Sequence, residues 1–216
     1  MSFMGEVIEI TLRSITISVS ATILGASWSI PISFNLSKKR GKVTIAMIGV
    51  LNALIGFPTV LVGLFLYMIF SSSGPLSFLG ILYTPTAIIV GEAILITPLI
   101  ISLSYDVFNR AYTEYWETSI TLGATEAQAF LRLLKETYEE ILVVLLIGFS
   151  RAIGELGVAL MVGGNIRWYT RVFTTTIALE VAKGNFEIAL FLGFILLIIV
   201  STTSALIRVL GGRQND

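Results

Sequence analysis

Apolar positions in this chain run together in long blocks, without the alternation of a half-buried strand or the narrow stripe of a surface helix. No charged side chain occurs in the 24 residues from Ser14 to Ser37, the 49 from Val43 to Gly91, or the 20 from Ile188 to Ile207. Uncharged, mostly apolar stretches of about 18 residues or more read as membrane-spanning helices. Five spans are expected, over residues 12–34, 44–70, 84–104, 141–164 and 187–208. Each is long enough, at 1.5 Å rise per residue, to cross a hydrocarbon core about 30 Å thick. The cluster Ser71-Ser72-Ser73-Gly74-Pro75 marks a turn between the second and third spans. Thr84-Pro85 opens the third, since proline is tolerated in a first helical turn. Pro58 and Pro98 fall inside spans, where they are expected to kink the helix and free a carbonyl.

Composition agrees and removes other classes. Of 216 residues, 55% are hydrophobic and 13% charged, and the mean hydropathy is +0.90. A soluble domain carries about 25% charged residues, so this chain has too little polar surface to cover a globule. It reads as an all-α membrane protein with one transmembrane domain over 1–216. The first apolar run reads as a retained helix, because no convincing small-residue cleavage site follows it. Cysteine and histidine are both absent, which excludes disulfides, thiolate chemistry, the usual metal ligand and the commonest near-neutral general base. A net charge of zero with no long basic run argues against nucleic acid.

Orientation follows the Lys/Arg count. Lys38, Lys39, Arg40, Lys42, Arg110, Arg132, Lys135, Arg208 and Arg213 fall on one side, nine in all, against Arg13, Arg167, Arg171 and Lys183 on the other. The richer side is expected to be cytoplasmic, placing the N-terminus outside and the C-terminus inside the cell membrane. Residues 105–140 form the one long polar segment, with seven acids against three bases. Helical patterning lies on both sides of Gly123, and Thr125 followed by Gln128 suggests a capping box. A solvated connector needs no apolar stripe, yet Tyr115, Trp116, Ile120, Leu122 and Phe130 supply one. Apolar groups exposed in an acidic hairpin point to a protein partner.

Three ionisable residues fall at membrane depth: Glu92 in span three, and Arg151 and Glu155 in span four. A charge at the bilayer centre costs about 2.5–3.5 kcal/mol on insertion scales, so none is expected to face lipid unpaired. Arg151 and Glu155 are four apart and share a helix face. Either they neutralise each other, with Glu92 protonated or completing the network, or they line the pathway and hold its gate. Span four is crowded with Gly148, Gly154, Gly157, Gly163 and Gly164. These glycines either permit close helix packing or break the helix at Gly163-Gly164-Asn165 and offer N–H groups to an anion. Arg167 and Arg171 just outside either attract a dianion or contact lipid headgroups or a binding protein.

Two stretches carry a family resemblance. Glu117-Thr118-Ser119, three residues, then Gly123 resembles the EAA loop of ATP-binding-cassette importer permeases, with Thr118 and Ser119 in place of the two alanines and no later Leu-Pro. Gly148-Phe149-Ser150-Arg151-Ala152-Ile153-Gly154-Glu155-Leu156-Gly157, running on to Met161-Val162-Gly163-Gly164-Asn165-Ile166, resembles the core helix of molybdate, tungstate and sulfate permeases. Arg167-Trp168-Tyr169-Thr170-Arg171 and Thr174-Thr175-Thr176 are similar to the Tup-type tungstate branch. Mod-type molybdate permeases usually have Pro where Arg167 stands. The resemblance spans about residues 6–208 and includes Phe57-Pro58, Val62-Gly63 and Ser73-Gly74-Pro75-Leu76.

The resemblance implies the permease of a type I importer for an oxyanion, most closely tungstate, with molybdate or sulfate as alternatives. It implies a homodimer, two ATPase subunits that bind the ATP and Mg, and an extracytoplasmic substrate-binding protein. This chain carries no Gly-x-x-x-x-Gly-Lys-Ser/Thr motif and needs no cofactor of its own. Glu117, Thr118, Ser119, Gly123 and Ala124 are then the coupling residues, and Met161, Val162, Gly163, Gly164 and Asn165 the gate. Met161 and Val162 are expected to seal it and Asn165 to offer an uncharged donor to the anion. The rival class, a self-contained anion channel or secondary transporter, would carry internal inverted repeats. None is visible, and a channel has no use for the acidic hairpin.

Overall fold

The computed structural model describes residues 3–39 and 41–212, so Arg40 and Arg213 of the charge count lie outside the described residues. Ten α-helices account for almost all of it, and no strand occurs among the described residues. Three helices are long and apolar enough to cross a membrane: α1 (Phe3–Ser37), α4 (Pro85–Ala111) and α10 (Phe186–Gly212). The chain is a multi-pass membrane protein.

Spans two and four are not single rods. The second is α2 (Lys42–Ile55) and α3 (Thr59–Phe70), bent by 94°, and the fourth is α7 (Tyr138–Ile153) and α8 (Gly157–Gly163), bent by 60°. Pro58 causes the first break: it sits in extended conformation at the start of α3 and has no N–H to continue the ladder of α2. Gly154-Glu155-Leu156 makes the second. Pro98, by contrast, lies inside α4 without interrupting it. At the start of α4 the Thr84 hydroxyl accepts from the Ala87 N–H at 3.3 Å, and Pro85 occupies the first turn.

Between spans three and four, a six-residue π-turn (Tyr112–Glu117) leads into the short α5 (Thr118–Thr121) and then α6 (Glu126–Glu136). The capping box at Thr125 is formed: the Gln128 side chain accepts from the Thr125 N–H at 2.9 Å, and the Thr125 hydroxyl accepts from the Gln128 N–H at 3.3 Å. A ten-residue apolar helix, α9 (Phe173–Ala182), lies where the sequence reading had only an outer loop. The broken spans pack against each other, α3 on α8, and α4 packs on both the long α1 and α8. One apolar core, around Phe34, Phe108, Trp116 and Leu133, sits at the hairpin end. A second, around Leu66, Ile88, Val158 and Val162, lies under the broken spans.

Candidate functional site: the broken spans and the hairpin

Glycines hold the broken spans together. A Cβ on Gly63 of α3 would stand 2.9 Å from Met161 Cβ and 3.1 Å from the Gly157 carbonyl oxygen. One on Gly157 would stand 2.7 Å from Thr59 Oγ1 and 2.8 Å from the Val60 backbone nitrogen. The first turns of α3 and α8 therefore touch backbone to backbone, a contact only small residues permit. Gly163 is pinned likewise, with Ile88 Cδ1 2.6 Å from where its Cβ would be. Close packing is thus the role of these glycines. The helix also ends there, because Gly164 and Asn165 take positive φ of 68° and 50°.

Glu155 organises the break in span four. One carboxylate oxygen takes Arg151 Nη1 at 2.7 Å, and the other accepts from the Val158 N–H at 3.2 Å, capping the first turn of α8. Its backbone carbonyl accepts from Thr174 Oγ1 of α9 at 2.7 Å. Glu155 is buried, whereas the Arg151 side chain is 35% exposed. The expected pair forms, although a break in the helix stands between the two residues. Glu92, buried in α4, accepts from Ser18 Oγ of α1 at 3.2 Å and feels the charges of both Arg151 and Glu155 without bonding to either.

One expected gate feature is corrected. Val162 is fully buried in the protomer's own core, facing α4 and Gly91, so it cannot seal a pathway between two copies. The exposed face of α8 carries Leu156 and Leu160 instead, four residues apart, with Met161 part-exposed beside them. Leu61, Leu64, Phe65 and Met68 form a parallel exposed stripe on α3. Asn165 is held within the protomer by one amide N–H donating to the Thr175 carbonyl at 3.3 Å and by its Oδ1 accepting from Arg171 Nε at 3.3 Å.

At the same end, Arg167 and Arg171 are not free cations. Both hold Glu6 at the start of α1, Arg167 through two bonds of 3.0 and 2.6 Å and Arg171 at 3.3 Å. Glu6, Arg167 and Arg171 line a cavity of about 300 Å³ with Glu180 and Lys183. Hydrogen bonds from Lys183 at 2.8 Å and Asn185 at 2.7 Å hold the Glu180 carboxyl below its ordinary range. Arg13 donates to the Arg171 carbonyl at 3.1 Å, so the four basic residues assigned to the poorer side meet at one end, the end bearing the start of α1.

At the other end is the hairpin. Trp116, expected as an exposed group, is buried, and Phe130 packs on the same core, with Phe34 of α1 4.8 and 4.5 Å from their rings. Ile120, Leu122 and Leu131 are left exposed, Leu122 at 77%. Glu117 and Thr118 are exposed, Ser119 is buried with its hydroxyl on the Tyr115 carbonyl, and Ala124 is half-buried. Gly123 turns the chain at φ +90°.

Residues 18–215 match the family described as binding-protein-dependent transport system inner membrane component. The chain belongs to this family. It is 36% identical over 206 residues, 95% of this chain and 90% of the relative, to the tungstate uptake system permease protein TupB of Peptoclostridium acidaminophilum. It is 34% identical over 214 residues, 97% of this chain and 90% of the relative, to a probable anion ABC transporter permease protein of Haloferax volcanii. The sulfate transport system permease protein CysT of Salmonella typhimurium is 26% identical over 179 residues, 78% of this chain and 64% of the relative. By that membership this permease is an inner membrane component of a binding-protein-dependent transport system. The sequence reading missed Glu6 and Lys38, whose partners lie 161 and 88 residues away along the chain.

Proposed function

We propose that this permease imports tungstate, driven by two ATPase subunits at its hairpin end and supplied by a binding protein at its N-terminal end. The N-terminus is then outside and the C-terminus cytoplasmic, with molybdate and sulfate as the alternative substrates. The observation that carries the substrate is the 36% identity, over nearly the whole chain, to a tungstate uptake permease. Coupling is supported by the hairpin, where Ile120 and Leu122 stand exposed around the Gly123 turn and Glu117 and Thr118 beside them are open to a partner.

Two copies working about a two-fold axis are supported by the apolar stripes of α3 and α8, which stay exposed among the described residues. Leu156, Leu160 and Met161 are the residues that would meet their mates there and form a seal. ATP closing the ATPase pair would move both hairpins and turn the pathway outward, with the permease as a two-state element biased by its partners. Glu155 positions α8 in that change, and Arg151 neutralises it. The experiment is reconstitution of the permease with its ATPase and binding protein in liposomes. Tungstate should stimulate ATP hydrolysis and accumulate inside, and molybdate and sulfate should compete weakly. Anion flux from the permease alone, without ATP, would overturn the importer in favour of a channel.

A further inference from the structure

We infer that α1 is a strut that ties the hairpin to the outer end of the molecule, with Lys38 and Arg13 as its two fastenings. The inference rests on the importer reading and names two positioning residues within it. The joint between α4 and the hairpin is the π-turn Tyr112–Glu117, and π-bulges are among the places where helices kink. The direct chain connection from span three to the hairpin is therefore the compliant one. Besides the apolar core that it shares with α4 and α7, the hairpin is held by a second route, made by α1.

Lys38, one residue past the end of α1, is held there by its own N–H on the Phe34 carbonyl at 3.3 Å. Its ammonium lies 4.3 Å from the Trp116 ring centre and 4.7 Å from that of Phe34, within cation–π range of both. The same ammonium pairs with Glu126, in the first turn of α6, at 3.0 Å. One side chain therefore touches α1, the π-turn and α6. The aromatic contacts carry more of this fastening than the ion pair, because the Glu126 side chain is 78% exposed.

Twenty-five residues earlier, about 38 Å along the helix axis, Arg13 donates to the Arg171 carbonyl at 3.1 Å and the Trp168 carbonyl at 3.0 Å. Glu6 adds its bonds to Arg167 and Arg171. These carbonyls belong to the segment 164–172 that directly follows α8, so the outer end of α1 grips the chain leaving the gate helix. Between the two fastenings α1 is one unbroken helix, continuous through Pro31, and it packs along α4. A displacement of the hairpin is thus carried by α1 to the far end of α8.

Spatial continuity alone does not show energetic coupling, so the test measures it in the reconstituted complex. The readouts are tungstate transported per ATP hydrolysed, and nucleotide-dependent hydrogen exchange in residues 165–171. Lys38→Met keeps the stem and removes the charge; it should still co-purify with the ATPase, yet transport at least fivefold less per ATP. It should also abolish the response of 165–171 to nucleotide. Lys38→Arg, which keeps a cation over both rings, should restore the ratio to within about twofold. Arg13→Gln should give a similar loss, and the double variant little more than either alone, because one rod cannot be released twice. An unchanged ratio and exchange response in Lys38→Met would overturn the strut. So would Lys38→Arg failing as badly as Lys38→Met, or losses that simply multiply in the double variant. A parent complex in which tungstate stimulates no ATP hydrolysis would overturn the importer reading itself, and with it the strut.

Discussion

At the scale of single residues, Arg151, Glu155 and Gly123 carry the most consequence. Arg151→Ala leaves a buried carboxylate that still caps α8 but has lost its cation at 2.7 Å. Breaking a buried pair costs roughly 3–5 kcal/mol, and the guanidinium is about one-third exposed, so a loss of about 2–3 kcal/mol is expected. Thermal unfolding in detergent should show it. Adding Glu155→Ala should recover part of the loss, though not all, because the cap on Val158 goes too. Strictly additive losses in that cycle would mean that the two groups do not interact. Gly123 presents a different case: a Cβ there meets nothing within 4 Å, so any cost comes from the backbone at φ +90°. An L-residue held in left-handed conformation costs about 1–2 kcal/mol. Gly123→Val is therefore expected to distort the turn and weaken capture of the ATPase, while the spans insert normally. A pull-down that recovers ATPase in equal amounts from parent and variant would remove this turn from the coupling machinery.

At the scale of elements, the sequence located the spans well and their internal breaks poorly. Hydropathy integrates over about 20 residues, so it reports that 44–70 and 141–164 are apolar without reporting that each is bent. Pro58 announced its break through its missing N–H, and Pro98 carried the same signal in a helix that stays whole. The difference lies in the neighbours: Pro58 follows Gly56-Phe57, whose N–H groups close a turn on Ala53 and Leu54. In span four the break depends on the Glu155 cap and the Thr174 hydroxyl on its carbonyl, contacts that no local pattern contains. Helix α9 was missed because ten residues are too few to span and were read as loop. Its end is set by Glu180, which accepts from Lys183 and Asn185 and turns the chain, through Gly184 at φ +79°, into α10. Because those bonds lower the Glu180 pKa, its contribution is complete above the ordinary value near 4.5 and is lost as pH falls through the depressed one. The detergent-solubilised permease should lose thermal stability as pH drops below about 4.5. Glu180→Gln should be less stable at neutral pH and show a flatter acid limb. An acid limb that keeps the parent's slope in Glu180→Gln would assign the effect to other carboxylates.

At the scale of the whole molecule, the chain's charge pattern divides between two ends of the fold, one holding the hairpin and the other the Glu6–Arg167–Arg171 cluster. The proposed gate lies between them, and here the sequence pointed to a segment without resolving which of its faces is buried in the protomer. Met161 and Val162 are adjacent, and neighbours on a helix point about 100° apart, so both could not face the same mate. Their directions depend on where α8 starts, which the hidden break at 154–156 decides. Val162 turns into its own protomer, whereas Leu156 and Leu160 turn out with exposures of 37% and 44%. Because the chain has no cysteine of its own, single cysteines report on this face without background. In the nucleotide-free complex, cysteine placed at Leu160 should resist an impermeant thiol reagent added from outside. It should react several-fold faster once ATP is trapped and the pathway opens. Cysteine placed at Val162 should stay unreactive in both states, because the α4 side of α8 never opens. Rapid labelling at position 162 together with silence at 160 would reverse the assignment and return the seal to the inner face of α8. Equal labelling at 160 in both states would mean that α8 does not gate the pathway.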